Sequence, residues 1–539
     1  MRPFSRPLID LMLVVAGAVG LFALFFHLAM LNPHNIGWLL TGTDNGENAL
    51  GLHAWLKDPH AHGFRTQALN APDGVSLLFT DSNPLLAVLA VPLTGLLGGD
   101  IQLVGPWYLL CLMLHVALAR AVLVPYARTP LALWSGVLLL SLLPTLYVRE
   151  VHANLCAHWL ILWALWIFID PRRAADWRWW LAVLGVSALI HSYLLLMVAA
   201  IWGSAMLERL VRAPGERGRT LLGAGVVLAV VAGVLSMLVD RGGLISSGTY
   251  GRFGMPLDAL WNPAISAMSV FLPAIPQAAD RQMEAFQYLG AGLLLLVVAA
   301  PILHWRAVPS PSVTTLHRRL CWLIPALVVL ALLAISNRVD LAGRTVLTIP
   351  LSAQALALVD PVRASSRLFW PVAYVLALTA ITQAYRLAPR RAALLLVGAL
   401  ALQMIDMIGV IGYTRHQTAA ADAPVRWRIT RDPRWASVIA QATDVTFMPP
   451  DATRQLDLFQ EIAWRAVDAH RPVRLVYAAR TSRVTAERLA TEYRAFQQGR
   501  LVPGRLYVIL PNTPIPAAAR TRLATLDGVR VVLPTVQPR

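Results

Sequence analysis

Charge is scarce in this chain: of 539 residues only 14% are charged while 57% are apolar, whereas soluble domains are roughly a quarter charged. A water-soluble enzyme is nearly excluded. Lysine is all but missing, Lys57 being the single example, so the excess of 46 basic over 29 acidic residues, a net +17, is carried by arginine. Guanidinium groups stay charged and grip phosphates and lipid headgroups in bidentate fashion. Nucleic-acid binding, the competing reading of such a charge, needs a basic soluble face. Here the arginines sit mostly in short loops between apolar runs, so no nucleic-acid partner is expected. Cysteine is rare as well. Cys111, Cys156 and Cys321 lie in or beside apolar runs without paired spacing, which excludes a disulfide framework or a zinc knuckle.

What the chain does have is apolar length. A spanning helix needs about 20 apolar residues, and runs at 8–31, 101–125, 131–148, 155–170, 178–190, 192–208, 220–239, 288–303, 320–336, 368–386 and 391–412 predict about eleven spans. The first follows Arg2 and Arg6 without a small-residue cleavage site, so it reads as a retained anchor with the N-terminus in the cytoplasm. The run at 178–208 is too long for one helix and splits at His191-Ser192. The stretch at 84–99 is too short to span and reads as a helix at or dipping into the outer face. With these choices the inner loops carry Arg128, Arg172, Arg173, Arg178, Arg209, Arg212, Arg217, Arg219, Arg306, Arg318, Arg319, Arg386, Arg390 and Arg391. Each satisfies the positive-inside rule.

Long outer loops then fall at 32–100, 240–287 and 337–367, and a polar tail at 413–539. Long loops in compact proteins usually carry function. In the tail, the runs DVTFM, PVRLVY, GRLYVIL and VRVVL alternate with helical patterns at 453–470, 483–498 and 515–526. That alternation predicts an α/β, Rossmann-like soluble domain with a mainly parallel sheet. No GxGxxG or P-loop follows a strand, so nucleotide binding has no support, and a docking or stabilising cap is the favoured role.

Asp44, in TGTDNGENALGLHAWL, is placed to take a proton from an acceptor hydroxyl at the water–lipid boundary; equally, Asp44 caps the helix that follows, with Glu47 completing a capping box. Asp81 or Ser82 reads first as the cap of the helix starting at Pro84. Arg149, Glu150, His152, Asn154 and His158 cluster at an outer turn, where ionisable groups pair or line a polar cavity, an Arg149–Glu150 pair being the plain account. His191 and Tyr193 are available to the same cavity. Arg252, in TYGRF, and Arg363 and Arg367, in VRASSR, are placed to hold a lipid phosphate or pyrophosphate. Asp58, His60 and His62 are too few for a metal site, and no metal is expected, although a divalent ion on Asp44 is left open.

This ordered set resembles the GT-C superfamily of membrane glycosyltransferases, and more narrowly a bacterial family of uncharacterised multi-pass proteins placed within it. The matching stretches are TDNGENALGLHAWL, LLFTDSNPLLA, HSYLLLMVA, TYGRFGMPLDALWNPA, FQYLGAG, ISNRV, VRASSRLFWPVAY and LQMIDM, which together cover most of residues 40–410. The resemblance implies an all-α polytopic membrane domain over 1–412 with a periplasmic α/β domain over 413–539. It implies transfer of a sugar from a polyprenyl-phosphate donor to a glycan, lipid or protein acceptor at the periplasmic face of a bacterial inner membrane. Asp44 is then the catalytic base or acceptor-orienting group, with Glu47, Glu150 and His152 beside it, and attack opposite the leaving phosphate inverts the anomeric centre. Asp81, His158, His191, Tyr193, Tyr250, Arg252, Tyr288 of FQYLGAG, Arg338 of ISNRV, Arg363 and Arg367 form the expected substrate-binding set. Two departures stand out: Asn45 follows Asp44 where the superfamily often has paired acids, and the tail lacks a Trp-Trp-Asp signature. A transporter or flippase of lipid-linked sugars, which should show paired broken helices or repeated halves, and a non-catalytic envelope scaffold are the alternatives.

Overall fold

The computed structural model describes residues 7–239, 245, 248–277, 281, 283–306, 308–423, 425–478 and 480–535, with only the backbone at 304 and 306. Arg2, Arg6 and the Arg306 side chain therefore lie outside the described residues. Among the described residues, five helices are long and apolar enough to cross a bilayer: Pro7–Phe25, Val104–Leu123, Ser192–Arg212, Pro214–Leu238 and Pro311–Ile335. Two further pairs qualify only as bent units, Ala353–Val362 with Ser365–Ala384 at 68° and Pro389–Asp406 with Ile408–Asp422 at 47°. The chain is a mostly helical membrane protein. At other expected spans the helices are short, as at Pro130–Ser141, Trp159–Phe168 and Trp177–Ile190. The long run does break at His191, whose ring Nδ1 accepts the Tyr193 N–H at 3.1 Å and so caps the second helix.

Apolar side chains of the helices form one continuous core that extends into the tail. The expected boundary at 412–413 falls inside helix Ile408–Thr418, which is fastened to the first helix by Thr414 Oγ1 donating to the Phe25 carbonyl at 2.9 Å.

The tail departs from the expected mainly parallel sheet. Its four strands, Asp444–Met448, Arg505–Ile509, Leu523–Leu526 and Val529–Val532, stand in the order first, second, fourth, third, and only the first two are parallel. PVRLVY is not a strand of this sheet. Its backbone is shared between a single parallel bridge from Val473 to Val445 and the first long loop, where Val473 N donates to the Ala68 carbonyl at 2.8 Å and Ala71 N to the Val473 carbonyl at 3.0 Å. The pattern at 515–526 becomes a short 3-10 turn, Ala517–Arg522, and a strand, because tight hairpin pairing through Asp527-Gly528 competes successfully for those residues.

Candidate active site

The first long loop, the turn at 149–154, the 365–369 turn and the tail meet around a cavity of about 680 Å³, within the range of small-molecule sites, roughly 300–1,000 Å³. Asp44, Glu47, Asp81, His152, His191, Tyr193, Arg363 and Arg367 line it, joined by Glu284, Thr453, Tyr477 and Arg480.

Asp44 opens helix Asp44–Lys57, with Thr43 at the cap position. The acids of the first turn and Lys57 in the last complement the helix dipole. Asp44 is not spent as a cap: its carboxylate Oδ2 lies 2.8 Å from Nδ1 of His152, on a cavity that Tyr477 also lines. Three asparagines hold the parts in place. Asn45 Oδ1 accepts the Ala153 N–H at 3.1 Å and Asn45 Nδ2 donates to the Glu150 carbonyl at 2.5 Å, which pins the turn bearing His152. Asn48 and Asn154 both donate to the Asp81 carbonyl. Gly51 lets the helix close on this turn, since a Cβ there would collide with the Thr80 and Ser82 hydroxyls. The cap of helix Pro84–Leu97 is Asn83, not Asp81 or Ser82, and Asp81, in the left-handed region at φ 51°, keeps its carboxylate for the cavity.

The environment separates the acids. Burial would raise Asp44, but the charge and hydrogen bond of His152, the Tyr477 hydroxyl and the charge of Arg367 hold it below the ordinary carboxylate range. Burial lifts Glu47 well above that range, with Asp44 and Asp81 adding to the effect, and neither Glu47 oxygen has a hydrogen-bond partner among the described residues. Asp81 is also raised, chiefly by burial. Burial opposes the charged form of His152, yet Asp44 and Glu284 outweigh it and push the imidazole up to about 9. Environments that drive neighbouring acids apart mark sites where one stays ionised and another holds its proton.

Glu284 is the hub that the sequence reading missed. It receives Arg367 through two nitrogens at 2.9–3.2 Å, lies 3.3 Å from Arg149 Nη1 and faces His152 Nε2 at 3.5 Å. These cations, led by Arg367, overcome burial and hold Glu284 well below its ordinary value. Arg149 thus pairs with Glu284 and not with Glu150, because the chain turns between residues 149 and 150. Glu150 is buried outside the cavity, raised to about 8 by burial, its carboxyl oxygens without a hydrogen-bond partner among the described residues.

Other expected contacts lie elsewhere. His158 is fully buried, bonded to the Tyr374 hydroxyl at 2.9 Å and packed on Trp370. The Tyr288 hydroxyl donates to Asp406 at 2.6 Å and that of Tyr250 to the Leu333 carbonyl at 3.2 Å. Arg338 belongs to a hairpin, where it bonds Thr345, and Arg252 lies over the Phe253 ring. None of these five lines the cavity. The signals for the missed residues were thin: Glu284 is one acid just before FQYLGAG, and Tyr477 ends an apolar run.

Asp44, Asp81 and His152 offer ligand atoms all within 4.8 Å of one another. Two carboxylates and an imidazole suit a divalent cation. Asp58, by contrast, is occupied by Thr66, Gln67 and Ala68 as a loop clamp.

Residues 14–408 match the family described as Domain of unknown function (DUF6311), and residues 434–534 match the one described as DUF6311 C-terminal domain. Among curated proteins none matches the chain. Among solved structures, the archaeal oligosaccharyltransferase AglB from Archaeoglobus fulgidus, in complex with an inhibitory peptide and a dolichol-phosphate, aligns at 13% identity over 93% of this chain and 69% of its own, with a TM-score of 0.34.

Proposed function

The chain belongs to the DUF6311 family, and we propose that it is a GT-C-like membrane glycosyltransferase that moves a sugar from a polyprenyl-phosphate donor to a glycan, lipid or protein acceptor at the periplasmic face of a bacterial inner membrane. The observation that carries this reading is the Asp44–His152 pair in one cavity with Arg363 and Arg367. A carboxylate for an acceptor hydroxyl and guanidinium groups for a departing phosphate are the two requirements of the reaction.

In the proposed step the acceptor oxygen bonds to the anomeric carbon as the bond from that carbon to the phosphate oxygen breaks. The acceptor proton passes to Asp44, and the electron pair leaves with the phosphate. A strongly ionised carboxylate suffices, because the hydroxyl becomes acidic only as its new bond forms. Displacement from the face opposite the phosphate inverts the anomeric centre. Arg363, which makes no ion pair with a described residue, is the cation most available to the leaving group. Arg367 shares its charge with Glu284. Glu47, whose acidity burial weakens, lies beside Asp44 on the same cavity wall. A divalent cation held by Asp44, Asp81 and His152 would add charge neutralisation at the phosphate.

The test is release of polyprenyl phosphate from a panel of polyprenyl-phosphate sugars by purified protein in liposomes with crude envelope acceptor, comparing wild type with Asp44→Asn. Release that falls at least about a hundredfold in the variant is expected. No release from any donor, or equal release by both proteins, would sink the reading.

A carrier of lipid-linked sugars is the second reading, favoured by the 68° bend whose break holds Arg363. Discontinuous helices meeting at a site are common in transporters. It calls for movement of a fluorescent lipid-linked sugar across the vesicle bilayer that Asp44→Asn leaves intact.

A further inference from the structure

A second cavity, of about 510 Å³, lies between helices Trp177–Ile190, Ser192–Arg212 and Arg217–Leu238. Tyr193 opens the second of these helices at the candidate active site, and Arg209 stands near its other end, about 25 Å away at about 1.5 Å per residue. The second cavity is graded along the helix axes. Asp176, Arg178, Arg209, Glu216 and Arg219 gather at the helix ends, while Trp202, Met206, Leu222 and Val226 continue the wall into the bundle, about one to two turns deeper on each helix. Gly223 lets Trp177 seat on this wall, for a Cβ there would crowd the Trp177 side chain at 3.0–3.4 Å. The span that contributes Leu222 and Val226 is the least buried of the five, and Leu222 is 72% exposed, so the deeper half of the cavity faces the place of lipid chains.

Both acids at the charged end are already engaged. Asp176 caps its helix by accepting the Arg178 backbone N–H at 3.0 Å, and Glu216 receives Arg209, whose Nε also donates to Thr220 Oγ1 at 3.2 Å. The guanidinium groups of Arg178 and Arg219 make no ion pair with a described residue. We propose that this cavity binds the phosphate headgroup of an anionic phospholipid, in the leaflet opposite the candidate active site. Arg178 and Arg219 hold the phosphate, and an acyl chain lies along Trp202, Met206, Leu222 and Val226. Guanidinium forks match phosphate oxygens, and basic pockets between spanning helices suit lipid headgroups. A free phosphate would leave the apolar half of the cavity without a partner. The site is independent of the transferase reading.

The test titrates the full-length protein in detergent micelles with dioleoyl phosphatidylglycerol, dioleoyl phosphatidylcholine or inorganic phosphate and reads the unfolding temperature. Phosphatidylglycerol should raise it at a mole fraction at least about tenfold lower than phosphatidylcholine does, since two arginines near an anionic headgroup each favour it severalfold. Arg178→Gln with Arg219→Gln should abolish that preference. Arg390→Gln with Arg391→Gln removes the same charge from exposed positions, again at the end of the helices away from the active site, and should keep it. Equal effects of the two lipids, or loss of the preference in both double variants, would overturn the proposal. A comparable rise with inorganic phosphate alone would make the cavity a free-anion site and overturn the lipid assignment. Should the Arg178 and Arg219 variant fail to fold, tryptophan fluorescence takes its place: phosphatidylglycerol with brominated chains should quench the wild type more than brominated phosphatidylcholine at equal mole fraction. That excess should shrink in Trp202→Phe, and an unchanged excess would equally overturn the proposal.

Discussion

Among the described residues, two clusters hold the same ligand set, two aspartates and a histidine with their atoms within 4.8 Å: Asp44, Asp81 and His152, and His53, Asp100 and Asp468. Both join the first long loop to a distant segment, yet their surroundings differ. In the second, Lys57 Nζ lies 2.7 Å from Asp100 and 3.0 Å from Asp468, Arg426 bridges the same two acids, and His53 stacks on Trp464 with centroids 4.0 Å apart. Its charges are spent locally, and burial lowers the pKa of His53 despite the nearby acids. In the first, the nearby arginines Arg149 and Arg367 pair with Glu284, the close cation of Asp44 is the imidazole of His152, raised to about 9, and the acids open into a cavity. Residue type alone does not make a site. What separates the clasp from the candidate reacting centre is that, among the described residues, only the first cluster lines a cavity.

The sharpest way to break the comparison is to neutralise one acid in each cluster. Asp44→Asn should lower release by at least about a hundredfold, and because it also removes the partner of His152 it should lower the unfolding temperature. Asp468→Asn should keep release within about fivefold and destabilise the protein by about 1–3 kcal/mol, read by thermal unfolding. Equal loss of activity in both would erase the distinction.

Glu284→Gln tests what keeps the first cluster open. Removing its charge leaves Arg367 and the 2%-exposed Arg149 without their acid. We expect inorganic pyrophosphate to bind about tenfold more tightly by calorimetry, with a lowered unfolding temperature. Unchanged binding would mean that these arginines do not face an anion.

Acidity separates the clusters next. The folded pKa of His152, about 9, lies above the unfolded value near 6.5. Its contribution to stability is therefore complete below about pH 6.5 and lost as the pH rises through about 9. Thermal unfolding measured from pH 6 to 10 should decline across that window in wild type and lose this component in His152→Gln. His53, lowered, should give no such alkaline decline in its own glutamine variant.

The smallest effect is expected from Lys57→Met. Lys57 is about one-third exposed, and such pairs contribute about 0–1 kcal/mol. A change well beyond that range would show the clasp to be more cooperative than its exposure suggests.

Much of the membrane part was legible because apolar length is a local property. The break at His191 followed from a run too long for one helix, and Asp44, His152, Arg363 and Arg367 could be singled out as polar groups beside apolar runs. Their grouping was less legible. His158 has the same local character as His152 yet packs into the core, because one turn of chain sends it toward Trp370 and Tyr374. Arg149 was matched with its neighbour Glu150, whereas its partner, Glu284, lies 135 positions away.

The sequence by itself determined the apolar helices, the arginine-rich loops and the supply of acids near their ends, since each follows from the cost of placing a charge or an unpaired backbone group in hydrocarbon. Tertiary structure alone decided that Glu284 would neutralise Arg149 and Arg367, that PVRLVY would bond to the first long loop as well as to its own sheet, and that Tyr477 would line the same cavity as Asp44. Those outcomes depend on which distant groups first satisfy one another's hydrogen bonds and charges, and no local pattern records that competition.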